Sequence, residues 1–152
     1  MKNIAVMAGL ALVLSACGDK SGTPAADTTA AASPPPAAAP GATHTVNMVM
    51  EGTTYKFVPN ELSVKAGDVV VFTNVSGGPH NVAFFADSIP AGAGPVLAAQ
   101  ITDGLGPLST ALVMDPNATI TISFAGAPTG EYKFTCTPHQ AMAMNGKITV
   151  TM

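Results

Sequence analysis

The part of the chain that most constrains its fold is residues 44–152, where short β-rich segments are separated by turn residues. In segments 120–124 and 132–135 apolar and polar residues alternate, as they do along a half-buried strand. Stretches such as Ala66-Gly67-Asp68 and Pro128-Thr129-Gly130 indicate turns between the segments. The β-rich segments are 44–50, 54–57, 61–65, 69–74, 81–85, 110–114, 119–125, 131–136 and 147–152.

Short strands at this spacing predict an all-β domain, a Greek-key β-sandwich of about eight strands, rather than alternating strands and helices. Residues 89–107 interrupt the pattern because they are rich in glycine and proline. They leave room for at most one short helix, which we expect at 96–101. The sequence shows no internal repeat. Residues 44–152 are therefore expected to form one domain of the commonest size.

The N-terminus has the layout of an export signal. Lys2 gives it a positive start, residues 4–14 are apolar, and small residues precede Cys17. The apolar run is too short to cross a bilayer as a helix, which needs about 20 residues. The sequence LSAC resembles the lipobox of bacterial lipoproteins. That resemblance implies a signal peptide at 1–16 and lipidation of Cys17 on its sulfur and its new amino group; the alternative is an ordinary signal peptide with a chance cysteine.

Residues 17–43 follow as a linker of Ala, Pro, Thr, Ser and Gly with few charges. Such a segment lacks large apolar side chains to bury and is expected to be a disordered tether. It would reach roughly 30 Å as a coil and about 80 Å if fully extended as polyproline. We therefore expect an exported protein that is held on a bacterial membrane by a lipid anchor and faces the periplasm or the cell exterior.

The charge pattern excludes one class of partner. The chain has 6 Lys+Arg against 9 Asp+Glu, and it contains no arginine and no basic run. A nucleic-acid-binding protein needs a cationic patch to neutralise phosphates. We therefore expect no nucleic-acid partner.

Near the C-terminus, Cys136, His139 and Met144 lie within one short loop between two predicted strands. His80, at the opening of another strand, is the candidate for a second imidazole. Two His and one Cys with a distant Met are the donor set of an electron-transfer copper site. A buried inert thiol, a zinc site and a Cys–His nucleophile are the alternatives. Met142 competes with Met144 for the axial position.

The loop CTPHQAMAM resembles the C-x2-H-x4-M loop of plastocyanins. The segments YKFVPNELSVKAGDVVVFTN, PHNVAFFADSIPAG and EYKFTCTPHQ resemble other parts of the same family. The resemblance implies a cupredoxin-type sandwich that holds one type 1 copper ion through His80, Cys136, His139 and Met144. It also implies that Asn81 helps to tie the two ligand loops together. Thr135 stands where plant plastocyanins have a tyrosine, and the family's acidic clusters are missing.

These features predict a membrane-tethered carrier of single electrons that cycles between Cu(I) and Cu(II) and is not an enzyme. A copper-binding or copper-delivery protein of the periplasm is the alternative. We expect a monomer whose partners are redox proteins, such as a cytochrome or a membrane oxidoreductase. They would dock on an apolar patch near His139. The remaining histidine, His44, is expected to be a solvated side chain.

Overall fold

The computed structural model describes residues 41–152, which form a sandwich of two four-stranded β-sheets. The elements are β1 Thr43–Glu51, β2 Thr54–Val58, β3 Glu61–Lys65, β4 Val69–Asn74, β5 Ala83–Phe84, α1 Ala93–Ala98, β6 Thr119–Ser123, β7 Gly130–Thr135, a 3₁₀ helix at Thr137–Met142, and β8 Asn145–Thr151. One sheet has the order β2-β1-β4-β6 and the other has the order β3-β8-β7-β5. The predicted all-β sandwich of about eight strands is confirmed.

Three local predictions were wrong. Residues 110–114 form no strand and make only one isolated bridge, between Val113 and His80. The strand pairing is interrupted because the N–H of Val82 is accepted by the Thr110 hydroxyl and not by a backbone carbonyl. The predicted strand at 81–85 shortens to Ala83–Phe84. The helix occupies Ala93–Ala98 instead of 96–101. Pro95 fits within its first turn, where a missing N–H costs no hydrogen bond.

The core between the sheets is built around aromatic rings. Phe134 of β7 packs edge-on against Phe57 at 4.8 Å and Phe72 at 5.4 Å between ring centroids. Edge-to-face contacts at such distances are favourable because the positive ring edge meets the negative ring face. Phe134 lies directly opposite Gly146 of β8 in the sheet. The ring therefore occupies the space that a side chain at position 146 would need.

The chain enters the sandwich at a hydrogen-bonded junction centred on Asp68. The buried Asp68 carboxylate accepts the backbone N–H groups of Ala42 at 2.8 Å and Lys65 at 2.9 Å. It also lies 2.7 Å from His44 Nε2, so His44, expected to be a solvated side chain, is only partly solvated, with 27% of its side chain exposed. The Lys65 backbone hydrogen bond and the His44 contact hold the pKa of Asp68 below its usual value. This junction fixes the start of β1 beside β4.

The signal peptide, Cys17 and most of the linker lie outside the described residues. Within residues 41–152, no helix has the length and apolar character to cross a membrane.

Replacing Gly146 by alanine should destabilise the fold, because the new Cβ would overlap the Phe134 ring. The ring is wedged among other core aromatics and cannot move aside freely. Overpacking of this kind costs about 1–3 kcal/mol. Gly94→Ala is the matched control, because a Cβ at this helical position meets nothing within 4 Å. Thermal unfolding should rank Gly146→Ala well below wild type and Gly94→Ala at or above it; equal melting temperatures for Gly146→Ala and wild type would contradict this account.

Candidate metal centre

Three potential metal-binding side chains converge at one end of the sandwich. Cys136 Sγ lies 3.6 Å from His80 Nδ1 and 3.3 Å from His139 Nδ1. All three donor atoms lie within 4.8 Å of one another, and all three residues are buried. The two histidines therefore face the sulfur with the same type of ring nitrogen.

The geometry of Cys136 and His139 follows from the way the chain turns after β7. Cys136 continues the extended backbone, and the 3₁₀ helix that follows brings His139 back over it. The His139 N–H donates to the Cys136 carbonyl at 3.0 Å. Proline at the start of this helix, Pro138, suits a position whose N–H would have no partner in the helix.

Met144 lies beside Cys136 because the loop closes on itself. Ala143 adopts a left-handed backbone with φ 57° and ends the helix. The Cys136 N–H then donates to the Met144 carbonyl at 3.0 Å, and the Thr135 hydroxyl donates to the same carbonyl at 3.0 Å. Met144 is fully buried, whereas Met142 is 54% exposed. This difference favours Met144 over Met142 as the fourth donor.

His80 reaches the site from the other ligand-bearing segment, which is held by backbone hydrogen bonds. His80 and Val113 exchange N–H···O bonds of 3.0 and 2.8 Å. The Asn74 side-chain amide donates to the Gly78 carbonyl at 3.0 Å and steadies the turn before His80. The ring's outer nitrogen, Nε2, is buried and has no hydrogen-bond partner among the described residues.

The side chain of Asn81 joins the two segments. Its Oδ1 accepts the Thr137 N–H at 2.7 Å, and its Nδ2 donates to the Thr137 hydroxyl at 3.2 Å. The same Nδ2 lies 3.0 Å from Ser109 Oγ. The link expected between the ligand loops is therefore present in the geometry, and it reaches the residue directly after Cys136.

Burial determines the protonation of the three donors. It raises the pKa of the Cys136 thiol, although backbone hydrogen bonds from Asn81 and His139 act in the opposite direction. Burial lowers the pKa of His80, with a further contribution from His139, and it also lowers the pKa of His139. The histidines are therefore kept in the neutral form that binds metals. A thiolate among them requires a bound cation to compensate its charge.

The donor chemistry of this cavity fits copper. Thiolate and thioether sulfur are soft donors that suit Cu(I), while imidazole nitrogen suits both Cu(I) and Cu(II). His80, Cys136 and His139 provide the two nitrogens and one sulfur of such a site, and Met144 provides the weaker thioether. Structural zinc sites use Cys, His and carboxylate ligands and have no role for Met144.

Sequence reasoning missed the aromatic neighbour of His139. Tyr55 of β2 stacks on the His139 ring, with 3.7 Å between centroids and 9° between planes. The alternation in β2 places Tyr55 on the same face as the core residue Phe57. That signal was available, but it could not tell which loop Tyr55 would meet.

Comparison with known proteins agrees with the geometry. Residues 44–151 match the family of copper binding proteins described as the plastocyanin/azurin family. The chain is 44% identical over 94 residues to plastocyanin of Vicia faba. The aligned region covers 62% of this chain and 86% of the relative.

Two solved structures share the sandwich. A mutant plastocyanin of fern has 31% identity and a TM-score of 0.54, covering 70% of this chain and 99% of the fern protein. A pseudoazurin from Sinorhizobium has 25% identity and a TM-score of 0.51, covering 72% of this chain and 74% of the other.

The sandwich is thus a cupredoxin fold, and its cofactor is a type 1 copper ion. Proteins of this kind carry electrons and are not enzymes. The chain belongs to the plastocyanin/azurin family of copper-binding proteins.

Proposed function

We propose that this chain is a single-electron carrier tethered to a bacterial membrane by lipid on Cys17, with copper bound by His80, Cys136, His139 and Met144. The observation that carries the ligand assignment is the convergence of the donors: three donor atoms lie within 4.8 Å in a buried cavity, next to the fully buried Met144. When bound, the copper supplies the change between Cu(I) and Cu(II) that stores one electron.

The protein's own part is to hold these donors in one arrangement and exclude water. The Asn81 link fixes the distance between the His80 and Cys136 segments, and supporting residues of this kind orient metal ligands. His80, Cys136 and Met144 are fully buried, and His139 is 6% exposed. Because the cavity is closed, release of the metal would require the ligand loop to open. This favours electron transfer over the copper-delivery alternative.

The full chain purified in detergent and loaded with Cu(II) should be intensely blue and should bleach on reduction. The colour arises from charge transfer between the Cys136 thiolate and copper, so Cys136→Ser should abolish it. Visible absorption spectroscopy tests both statements. Cu(II) binding without the band, or a blue Cys136→Ser variant, would refute the proposed site.

The two methionines of the loop provide a matched pair for the same measurement. Met144→Gln should shift the band and the reduction potential, because the axial donor tunes this type of site. Met142→Gln should leave both nearly unchanged, because Met142 is exposed. The reverse ranking would assign the axial position to Met142.

We further propose that redox partners dock on the apolar end around His139. Exposed residues without charge surround this ligand, namely Pro138, Ala141, Met142 and Ala143. Leu112 and Met114 are 40% and 56% exposed and flank Val113, the backbone partner of His80. The nearby charges of Glu51 and Lys56 pair with each other at 2.6 Å. Such a surface suits brief encounters over a small area, with weak dependence on salt.

A negative charge within this surface should slow electron exchange with a partner and leave the copper spectrum unchanged. Ala141→Glu and Met142→Glu are the test variants, since Ala143 adopts a left-handed backbone that is best left intact. Ala125→Glu adds the same charge to the exposed turn after β6 and serves as the control. Stopped-flow kinetics at several ionic strengths would decide. A steep fall in wild-type rate with added salt, with no effect of the loop charges, would place docking on another face.

The tether assignment rests on sequence alone, on the lipobox-like LSAC and the apolar run before it. Lipidation would leave Cys17 as the first mature residue, and residues 18–43 would be the linker to the domain. Several acyl chains hold a protein firmly on a membrane, whereas one chain binds only reversibly. A domain on such a linker would move between partners without leaving the membrane surface.

The precursor expressed in bacteria should take up labelled fatty acid and fractionate with membranes. Cys17→Ala should do neither, because it removes the acceptor sulfur. Cys136→Ser should keep the label, since Cys136 is buried in the folded domain. A soluble, unlabelled wild-type protein would refute the lipid anchor.

A further inference from the structure

The two histidines of the site differ in how their rings are enclosed, because His80 is completely buried and His139 is 6% exposed. Both backbones are held: His80 exchanges N–H···O bonds with Val113, and His139 donates to the Cys136 carbonyl and accepts the Met144 N–H at 3.2 Å. The His139 ring turns Nδ1 toward Cys136 Sγ, and no side chain or carbonyl of residues 41–152 hydrogen-bonds its Nε2. Histidines that bind metals usually donate their second N–H to a protein group that fixes the plane of the ring. Neither histidine has such a partner within the described residues, but the ring of His80 is completely enclosed by the protein, whereas that of His139 reaches the surface.

The face of the His139 ring is covered by Tyr55. The two rings are nearly parallel, at 9°, and their centroids are 3.7 Å apart. Tyr55 has no comparable contact with His80, whose ring lies 5.9 Å away and is tilted by 57°. The stack is therefore specific to the histidine that lies nearest the surface.

The position of Tyr55 is fixed by the sheet. Tyr55 pairs with Met50 of β1. It lies two residues before the buried Phe57 in β2, so both side chains are on the same face of the strand. Because Phe57 is packed against Phe134 in the core, the strand cannot shift without disturbing that contact. Tyr55 thus presents a ring on a rigid strand to an imidazole on a loop.

We propose that Tyr55 is a positioning residue for electron transfer: its ring holds the plane of the His139 imidazole, so that this ligand keeps one orientation in both oxidation states. The inference rests on the proposed function. A ligand that is held in place before the electron arrives needs little rearrangement when it does. The phenol hydroxyl has no part in this role.

Three variants separate this role from simple packing. Tyr55→Phe keeps the ring, while Tyr55→Leu and the unbranched Tyr55→Met keep apolar bulk without it. Tyr132→Phe is the control for lost stability alone, because it removes the hydrogen bond from Tyr132 to the Pro128 carbonyl at 2.6 Å within the core. The full chain in detergent is used throughout.

In the metal-free protein, NMR should show His139 ring protons shifted upfield in wild type, Tyr55→Phe and Tyr132→Phe, with loss of the shift in Tyr55→Leu and Tyr55→Met. In the copper-loaded protein, electron self-exchange should slow by about tenfold in the Leu and Met variants, the lower end of the loss expected when support of a metal ligand is removed. Tyr55→Phe should exchange at the wild-type rate.

The proposal would be overturned if Tyr55→Leu or Tyr55→Met folds and exchanges electrons at the wild-type rate. So would a slow Tyr55→Phe, because the phenol rather than the ring would then be responsible. Failure of the proposed function would look different from either result. The wild-type protein would then bind copper without the blue band, and the positioning role of Tyr55 would fail together with the proposed function.

Discussion

The reciprocal hydrogen bonds between the Asn81 side chain and Thr137 are the contact on which the metal end of the molecule depends. They join segments 56 residues apart in sequence, one carrying His80 and the other Cys136 and His139. An amide that is buried and bonded through both its oxygen and its nitrogen has little freedom to rotate. The separation of the donor atoms is thus set by the protein before any metal arrives.

Holding the donors in this way has an electrostatic cost that the metal removes. The cavity that lowers the pKa of both histidines also raises that of the thiol, so without metal the neutral thiol is favoured. A bound cation reverses the balance at Cys136 while leaving the neutral imidazoles as they are. Metal binding is therefore coupled to the release of one proton from sulfur and requires little change in the fold.

The parts that could be predicted from sequence are those determined by residues close together in the chain. Cys136, His139 and Met144 belong to one turn between two alternating strands, so chain geometry alone brings them near one another. The alternation at 120–124 and 132–135 likewise indicated the sandwich. His80 could be named as the candidate for the second imidazole from its place at the opening of a strand, and the family resemblance supported that assignment. The stack of Tyr55 on His139, the His44–Asp68 contact and the single bridge at Val113 could not be foreseen, because each depends on how distant strands align.

The path of β1 has a mechanical consequence. This strand lies between β2 and β4 in its sheet, and the chain enters at the Asp68 junction, at the end opposite the donors. A pull on the N-terminal side, directed along β1, acts across the hydrogen bonds to both neighbours. Those bonds share the load and must break together instead of opening one at a time. Tension on a linker attached there would therefore load the hydrogen bonds of β1 before it reached the ligand loops at the far end.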